Sequence, residues 1–280
     1  MSDVAATPIP TPPAPGQSGA DPLRVERHDD GVVVLTLAVP ERRNAMTEAL
    51  TAAWARTIAE LQADRSVRAV VVTGEGTAFC AGGDLSWMEA DAGQPQVMAY
   101  RDKMQAFYDA WLGVRDLEVP VLAAVNGPAV GAGLCLALAC DLRWAAPAAR
   151  FSAPFTFLGM HPGMGATYLI PEAVGVVRAR ELLYAGAVVH AEQAQEWGLV
   201  SGVLPAETLV AEVTDVAHRI ATSGPIAVRL TKAGLAQAHA SLSAAIAWEA
   251  LAQPVTMGSA DMAEGVRAQQ ERRRPVFTGR

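Results

Sequence analysis

The apolar positions fall into two regimes along the chain. Up to about residue 152, short runs of β-branched and small apolar residues alternate with stretches of helical period. Residues 31–37, 68–73 and 119–125 predict strands, and 141–145 and 149–152 predict short ones. Residues 46 to about 61 predict an amphipathic helix with Thr47 near its start, and 96–114 a second helix. Residues 134–139 are apolar all round and predict a buried helix. This order of strands and helices implies a layered α/β core with parallel strands. Beyond Pro171 the helical period dominates, over 173–185, 191–198, 206–222, 225–240, 242–254 and 259–274, with a short strand at 199–204. Helices whose apolar stripes have few neighbours left to cover them imply either a partner subunit or a small accessory domain in the same chain.

Composition narrows the setting. Half of the 280 residues are apolar (51%), enough for a sizeable core. The most apolar stretch, 119–138, is broken by Asn126, Gly127 and Pro128, so it predicts a strand, a turn and a helix and not a membrane span. Residues 1–23 are rich in Pro, Ala, Ser and Thr and lack the basic start and apolar centre of a secretory signal; they read as a disordered tail. Three cysteines, Cys80, Cys135 and Cys140, lack metal-ligand spacing and suit a reduced, cytoplasmic protein without a metal. A net charge of −7 speaks against nucleic acid as a partner. Arg42–Arg43 and Arg272–Arg273–Arg274 are local basic exceptions that could meet a phosphate-bearing ligand or could be solvated surface. The chain contains no internal repeat, P-loop or Gly-x-Gly-x-x-Gly after a strand.

Candidate chemistry concentrates in two small-residue turns. Phe79-Cys80-Ala81-Gly82-Gly83-Asp84-Leu85 follows one predicted strand, and Asn126-Gly127-Pro128-Ala129-Val130-Gly131-Ala132-Gly133 follows another. Small side chains leave backbone N–H groups approachable, and a helix start adds positive potential. Two such turns meeting at one point would form a hole for a carbonyl oxygen that becomes anionic during reaction. Each alone could equally be a tight turn of an α/β protein.

At these residues the chain resembles the crotonase, or enoyl-CoA hydratase/isomerase, family. The resemblance runs from about Arg24 to Arg280 and rests on six segments in order. They are Pro40-x-x-Arg43-Asn44-Ala45-Met46, Val71-Val72-Thr73-Gly74 with the first turn, residues 120–133, Cys140-Asp141-Leu142-Arg143, Phe151 to Pro162, and Glu264-Gly265 with the 271–280 tail. It implies a spiral of ββα units over 24–205 and a C-terminal helical trimerisation region over 206–280. Homotrimers, or dimers of trimers, acting on acyl-CoA thioesters in fatty-acid or related metabolism are implied too, with coenzyme A as part of the substrate and no separate cofactor. By this resemblance the backbone N–H groups of Ala81 and Ala132 form the oxyanion hole. Arg43, Ala45, Asp84, Leu85, Phe155 and Arg272 line the substrate, with Arg272 near the phosphates of a neighbouring subunit's ligand. Asp84 is expected to order its own turn through backbone hydrogen bonds.

The family's proton-transfer positions hold unusual residues. Where hydrating relatives carry two glutamates, this chain has Cys135 and Phe155, and the later-turn aspartate of an isomerase variant aligns with Met164. One positioned acid or base contributes about 10²–10⁴ in rate, so strong 2-enoyl-CoA hydratase activity is not expected. His161, on the turn Gly159–Gly163, is the replacement acid/base candidate, against the alternative of a surface histidine. Cys135 could be a thiol acid or nucleophile, or core. Tyr168 and Glu89 are lesser candidates, and Trp87, Met88, Met160 and Met164 suit an acyl pocket or the core. Two readings therefore stand: a lyase or isomerase working through a stabilised enolate with a non-standard acid/base, or a non-catalytic acyl-CoA carrier.

Overall fold

The computed structural model describes residues 21–84, 97–237 and 241–280. Its main sheet runs in the order β1 (Leu23–Arg27), β2 (Val32–Leu37), β3 (Ala69–Gly74), β4 (Val121–Val125), β6 (Leu142–Ala145) and β9 (Gly202–Val203). Only β1 pairs antiparallel, with β2; the other neighbours are parallel. A smaller sheet joins β5 (Ala129–Val130), β7 (Arg150–Ser152) and β8 (Val188–His190). The predicted strands are found, most of them trimmed at their ends and the one expected at 68–73 shifted by one residue to Ala69–Gly74. β1 and β8 carried no sequence signal, because their exposed residues break the apolar runs.

Continuous apolar strands follow from burial on both faces. Val33, Leu35, Val70, Val72 and Ala123 point into the larger core, with Trp54 of α1 (Glu48–Ala63) and Trp111 of α2 (Val97–Leu112). Those two indoles stack with centroids 5.0 Å apart, and Trp111 Nε1 donates to Thr51 Oγ1 at 3.0 Å. Thr47 caps α1 as its sequence position predicts, accepting from the Leu50 N–H. Val32, Val34, Ala69, Val71, Leu122 and Ala124 point the other way, against Leu209, Val213 and Ala217 of α6 (Leu209–Ala221). The first helix of the stretch assigned to trimerisation thus covers the second face of this chain's own sheet.

α3 (Ala132–Ala139) is buried along its whole length and stands over the larger core. α4 (Ala166–Tyr184) begins earlier than the periodicity predicts and breaks at Gly175, whose φ of 77° leaves the helical region. α5 (Ala191–Glu196), α7 (Pro225–Ala236), α8 (Leu242–Met257) and α9 (Ala260–Glu271) follow in the predicted order. None of the residues of α8 is buried, although Leu242, Ile246, Leu251 and Val255 are among them.

The C-terminal tail is tied down by two carboxylates of α9. Buried Asp261 accepts from the N–H groups of Thr278 (2.6 Å) and Gly279 (2.8 Å). Glu264 takes the Arg273 guanidinium at 2.5 and 2.9 Å and the Val276 N–H at 3.0 Å. The Arg273 hydrogen bonds first, then that amide, hold the Glu264 carboxyl down to about 2. A carboxyl lowered on folding adds stability above its ordinary titration range, and that contribution disappears as pH falls toward the folded value. Amide exchange of Val276, corrected for intrinsic rates, should therefore accelerate progressively between about pH 5 and pH 2. A Glu264→Gln variant should already be fast at pH 7.

Candidate active site

The two small-residue turns lie beyond the C-terminal ends of neighbouring parallel strands β3 and β4, where ligands of α/β sheets bind. Their backbones touch. Val130 N–H donates to Cys80 O at 3.0 Å, and Cys80 pairs with Ala129 in a parallel bridge. A Cβ on Gly133 would lie 2.1 Å from Cys80 O. One on Gly82, which sits at φ 95°, would lie 2.6 Å from Val130 O and 3.3 Å from the Ala132 nitrogen. Any larger residue at either place would push the turns apart.

A third strand of backbone locks the first turn from the other side. Asn44 is fully buried in the left-handed region (φ 55°). Its side chain accepts from Val39 N–H at 3.0 Å and donates to the carbonyls of Glu75 (2.9 Å) and Ala78 (2.8 Å). Beside it, Met46 N–H donates to Gly82 O at 2.8 Å, and Ala81 N–H donates to Arg43 O at 2.9 Å. This last bond corrects the sequence expectation: the Ala81 amide is already spent on the Arg43 carbonyl. The Gly82 amide is turned to Cys80 Sγ at 3.4 Å. Gly83 pairs with Met46 in a parallel bridge whose Met46 amide bond goes to Gly82, and its own N–H has no acceptor among the described residues. A sequence signal for this was absent, because three adjacent small residues look alike until the Arg43 crossing selects among them.

The second expected donor, Ala132, lies at a helix start. It opens α3 directly after Gly131, which offers no side-chain cap, so its N–H is one of the helix's unpaired first-turn donors. Its backbone is not among the positive-φ residues, so alanine serves as well as glycine. The Phe155 ring, half-buried on the turn Pro154–Leu158, lies 3.6 Å from where a Gly131 Cβ would stand. Ala132, Gly131, Gly82 and Phe155 are thereby brought together.

The remaining candidates divide. Cys135, one turn along α3, is fully buried with Sγ 3.8 Å from Gly163 O; burial pushes its thiol up to about 12. At neutral pH it is a small neutral wall and no nucleophile. Cys140 fills core, as expected. His161 is exposed and forms no hydrogen bond or ion pair among the described residues. Tyr168 is exposed, its hydroxyl 3.5 Å from Glu172. Met164 is buried at φ 55°. Asp84 is buried and takes the Arg42 guanidinium at 2.8 Å, so the turn is ordered by an ion pair across to the Arg42 segment and not by Asp84's own backbone bonds alone. Ala45 is buried, while Arg43 and Arg272 are exposed. Leu85, Trp87, Met88 and Glu89 lie outside the described residues. Among the described residues no cluster could hold a metal ion, and no helix is long and apolar enough to cross a membrane.

A family model described as enoyl-CoA hydratase/isomerase matches residues 27–280. Over 177 residues the chain is 46% identical to the probable enoyl-CoA hydratase EchA14 of Mycobacterium tuberculosis, a match spanning 63% of this chain and 66% of that relative. It is 35% identical to the 1,2-epoxyphenylacetyl-CoA isomerase of Escherichia coli across 90% of this chain and 97% of that protein. The crystal structure of a putative enoyl-CoA hydratase from Streptomyces coelicolor superposes with a TM-score of 0.86 at 36% identity, covering 98% of this chain and 100% of that one. A crotonase fold with two converging backbone turns is what these matches and the geometry define together. The chain belongs to the enoyl-CoA hydratase/isomerase family.

Two measurements test this anatomy. Asn44→Ala should lower unfolding free energy in a denaturant titration by about 2–4 kcal/mol, because several buried backbone groups lose their partner at once. Iodoacetamide at pH 8 should leave the native protein unlabelled and should modify all three cysteines in guanidinium chloride, read by mass spectrometry.

Proposed function

We propose that this protein is an acyl-CoA isomerase or lyase that stabilises a thioester enolate between the amides of Gly83 and Ala132. The observation that carries this reading is the pairing of an unspent Gly83 N–H with the unpaired first-turn N–H of α3, in turns held in backbone contact. Two donors aimed at a developing oxyanion supply several kcal/mol where water is excluded, and an enolate is the common intermediate of α-proton chemistry on thioesters. The helix start adds positive potential at the same spot.

Hydration of a plain 2-enoyl thioester fits poorly. Phe155 is apolar and Cys135 is a neutral thiol, so neither holds or activates a water. Isomerisation needs no water and suits this lining, and the resemblance to an acyl-CoA isomerase supports it. His161 is exposed and has no hydrogen bond or ion pair among the described residues to aim it at the site, so it is a weaker acid/base than its position in the sequence suggests. Arg43 and Arg272 are exposed; on this reading they would meet the coenzyme's phosphates, Arg272 those of a neighbouring subunit's ligand. The unburied apolar residues of α8 support self-association as a homotrimer or a dimer of trimers.

The test is a spectrophotometric panel of 2-enoyl, 3-enoyl and 3-hydroxyacyl-CoA thioesters with the wild type and Ala132→Pro. Proline is tolerated at the first position of a helix but has no N–H. The expected result is turnover on at least one thioester, with kcat falling about 10²–10³-fold in the variant at an unchanged melting temperature. Micromolar binding without turnover on any thioester would favour the carrier reading.

A further inference from the structure

Cys135 and Phe155 leave the floor beneath Ala132 without a charged group, yet one hydroxyl reaches it from elsewhere. Tyr108 projects from α2, half-buried, toward the loop that precedes α4. A Cβ on Gly163 would lie 2.4 Å from the Tyr108 hydroxyl oxygen and 3.0 Å from Cζ, so the phenol tip is seated directly on the Gly163 backbone. Gly163 O is also the atom facing Cys135 Sγ, at 3.8 Å. Cys135 stands one helical turn beyond Ala132, about 4.5 Å along the axis at 1.5 Å per residue. The tyrosine hydroxyl, the thiol and the helix start thus share one stretch of wall.

The chemistry of that hydroxyl is defined by its surroundings. Burial raises the phenol above its ordinary value, and the thiol beside it adds to this, while a hydrogen bond from the Met164 backbone works the other way. It remains a protonated phenol at neutral pH. A phenol carries one rotatable proton and two lone pairs, so that proton can point away from the Met164 backbone. A neutral O–H beside Cys135 and Met164 matches a ligand atom that accepts a hydrogen bond, and an alkyl chain would leave it unpaired.

We infer that Tyr108 selects acyl groups bearing an oxygen atom, donating its hydroxyl proton to a hydroxyl, keto or epoxide oxygen on the chain. This rests on the acyl-CoA reading above and adds the class of acyl group. Hydrocarbon acyl chains of equal length bind more weakly because the phenol O–H is then desolvated without a partner.

Calorimetry separates the two levels. Wild-type protein should bind a 3-hydroxyacyl-CoA about threefold to tenfold more tightly than the saturated acyl-CoA of the same length, the range one neutral hydrogen bond provides. Tyr108→Phe should erase that ratio by weakening only the oxygenated ligand. Gly163→Ala, which keeps the phenol but claims the space of its oxygen, should erase it too. Equal affinities in the wild type, or a ratio unchanged in both variants, overturn the inference while leaving the acyl-CoA reading intact. Failure of wild-type protein to bind either thioester overturns both.

Discussion

Everything at the site depends on backbone packed against backbone between the turn after β3 and the turn after β4. Val130 N–H to Cys80 O is the central bond, and Gly82 and Gly133 are small because their α-carbons sit against Val130 O and Cys80 O. Such contacts are rigid, since main-chain atoms cannot rotate away as side chains do. They are also buried, so their polar groups must all be matched, and Asn44 and Arg43 supply the matches on the far side. Two amides at the point of contact, those of Gly83 and Ala132, have no acceptor among the described residues, and on the proposed reading a ligand oxygen lodges there.

The lining around that place is chemically quiet. Cys135, with a thiol held far from ionisation, Phe155, Met164 and the Tyr108 hydroxyl bring no carboxylate to it. On the proposed reading the chain would keep the electrostatic half of enolate chemistry and depart in the half that moves protons. Electrostatic preorganisation is commonly the larger contribution, which is why the proposed activity centres on the two amides. The same quiet lining makes recognition of the acyl group a matter of one hydrogen bond and shape.

Much of this was legible in the sequence. The strands at 31–37, 68–73 and 119–125 stand out because both sheet faces are buried, which leaves no polar residues to blur the runs. The two turns stand out through their glycines, and the family through six ordered segments. Three things were not legible. Ala81 and Gly83 are interchangeable by composition, and only the Arg43 carbonyl, brought in from a distant segment, decides which amide is spent. α6 reads as one more amphipathic helix, and nothing local says that its stripe of Leu209, Val213 and Ala217 belongs on the sheet. Tyr108 sits in an ordinary helix without a motif, and its importance comes from meeting Gly163 across the fold.

The most direct measurement is a crystal structure with a non-hydrolysable acyl-CoA bound. The account predicts the thioester carbonyl oxygen within about 3.2 Å of both the Gly83 and the Ala132 nitrogens, with the Ala81 N–H still on Arg43 O. An oxygen lodged on Ala81 instead, or placed away from the start of α3, would contradict it.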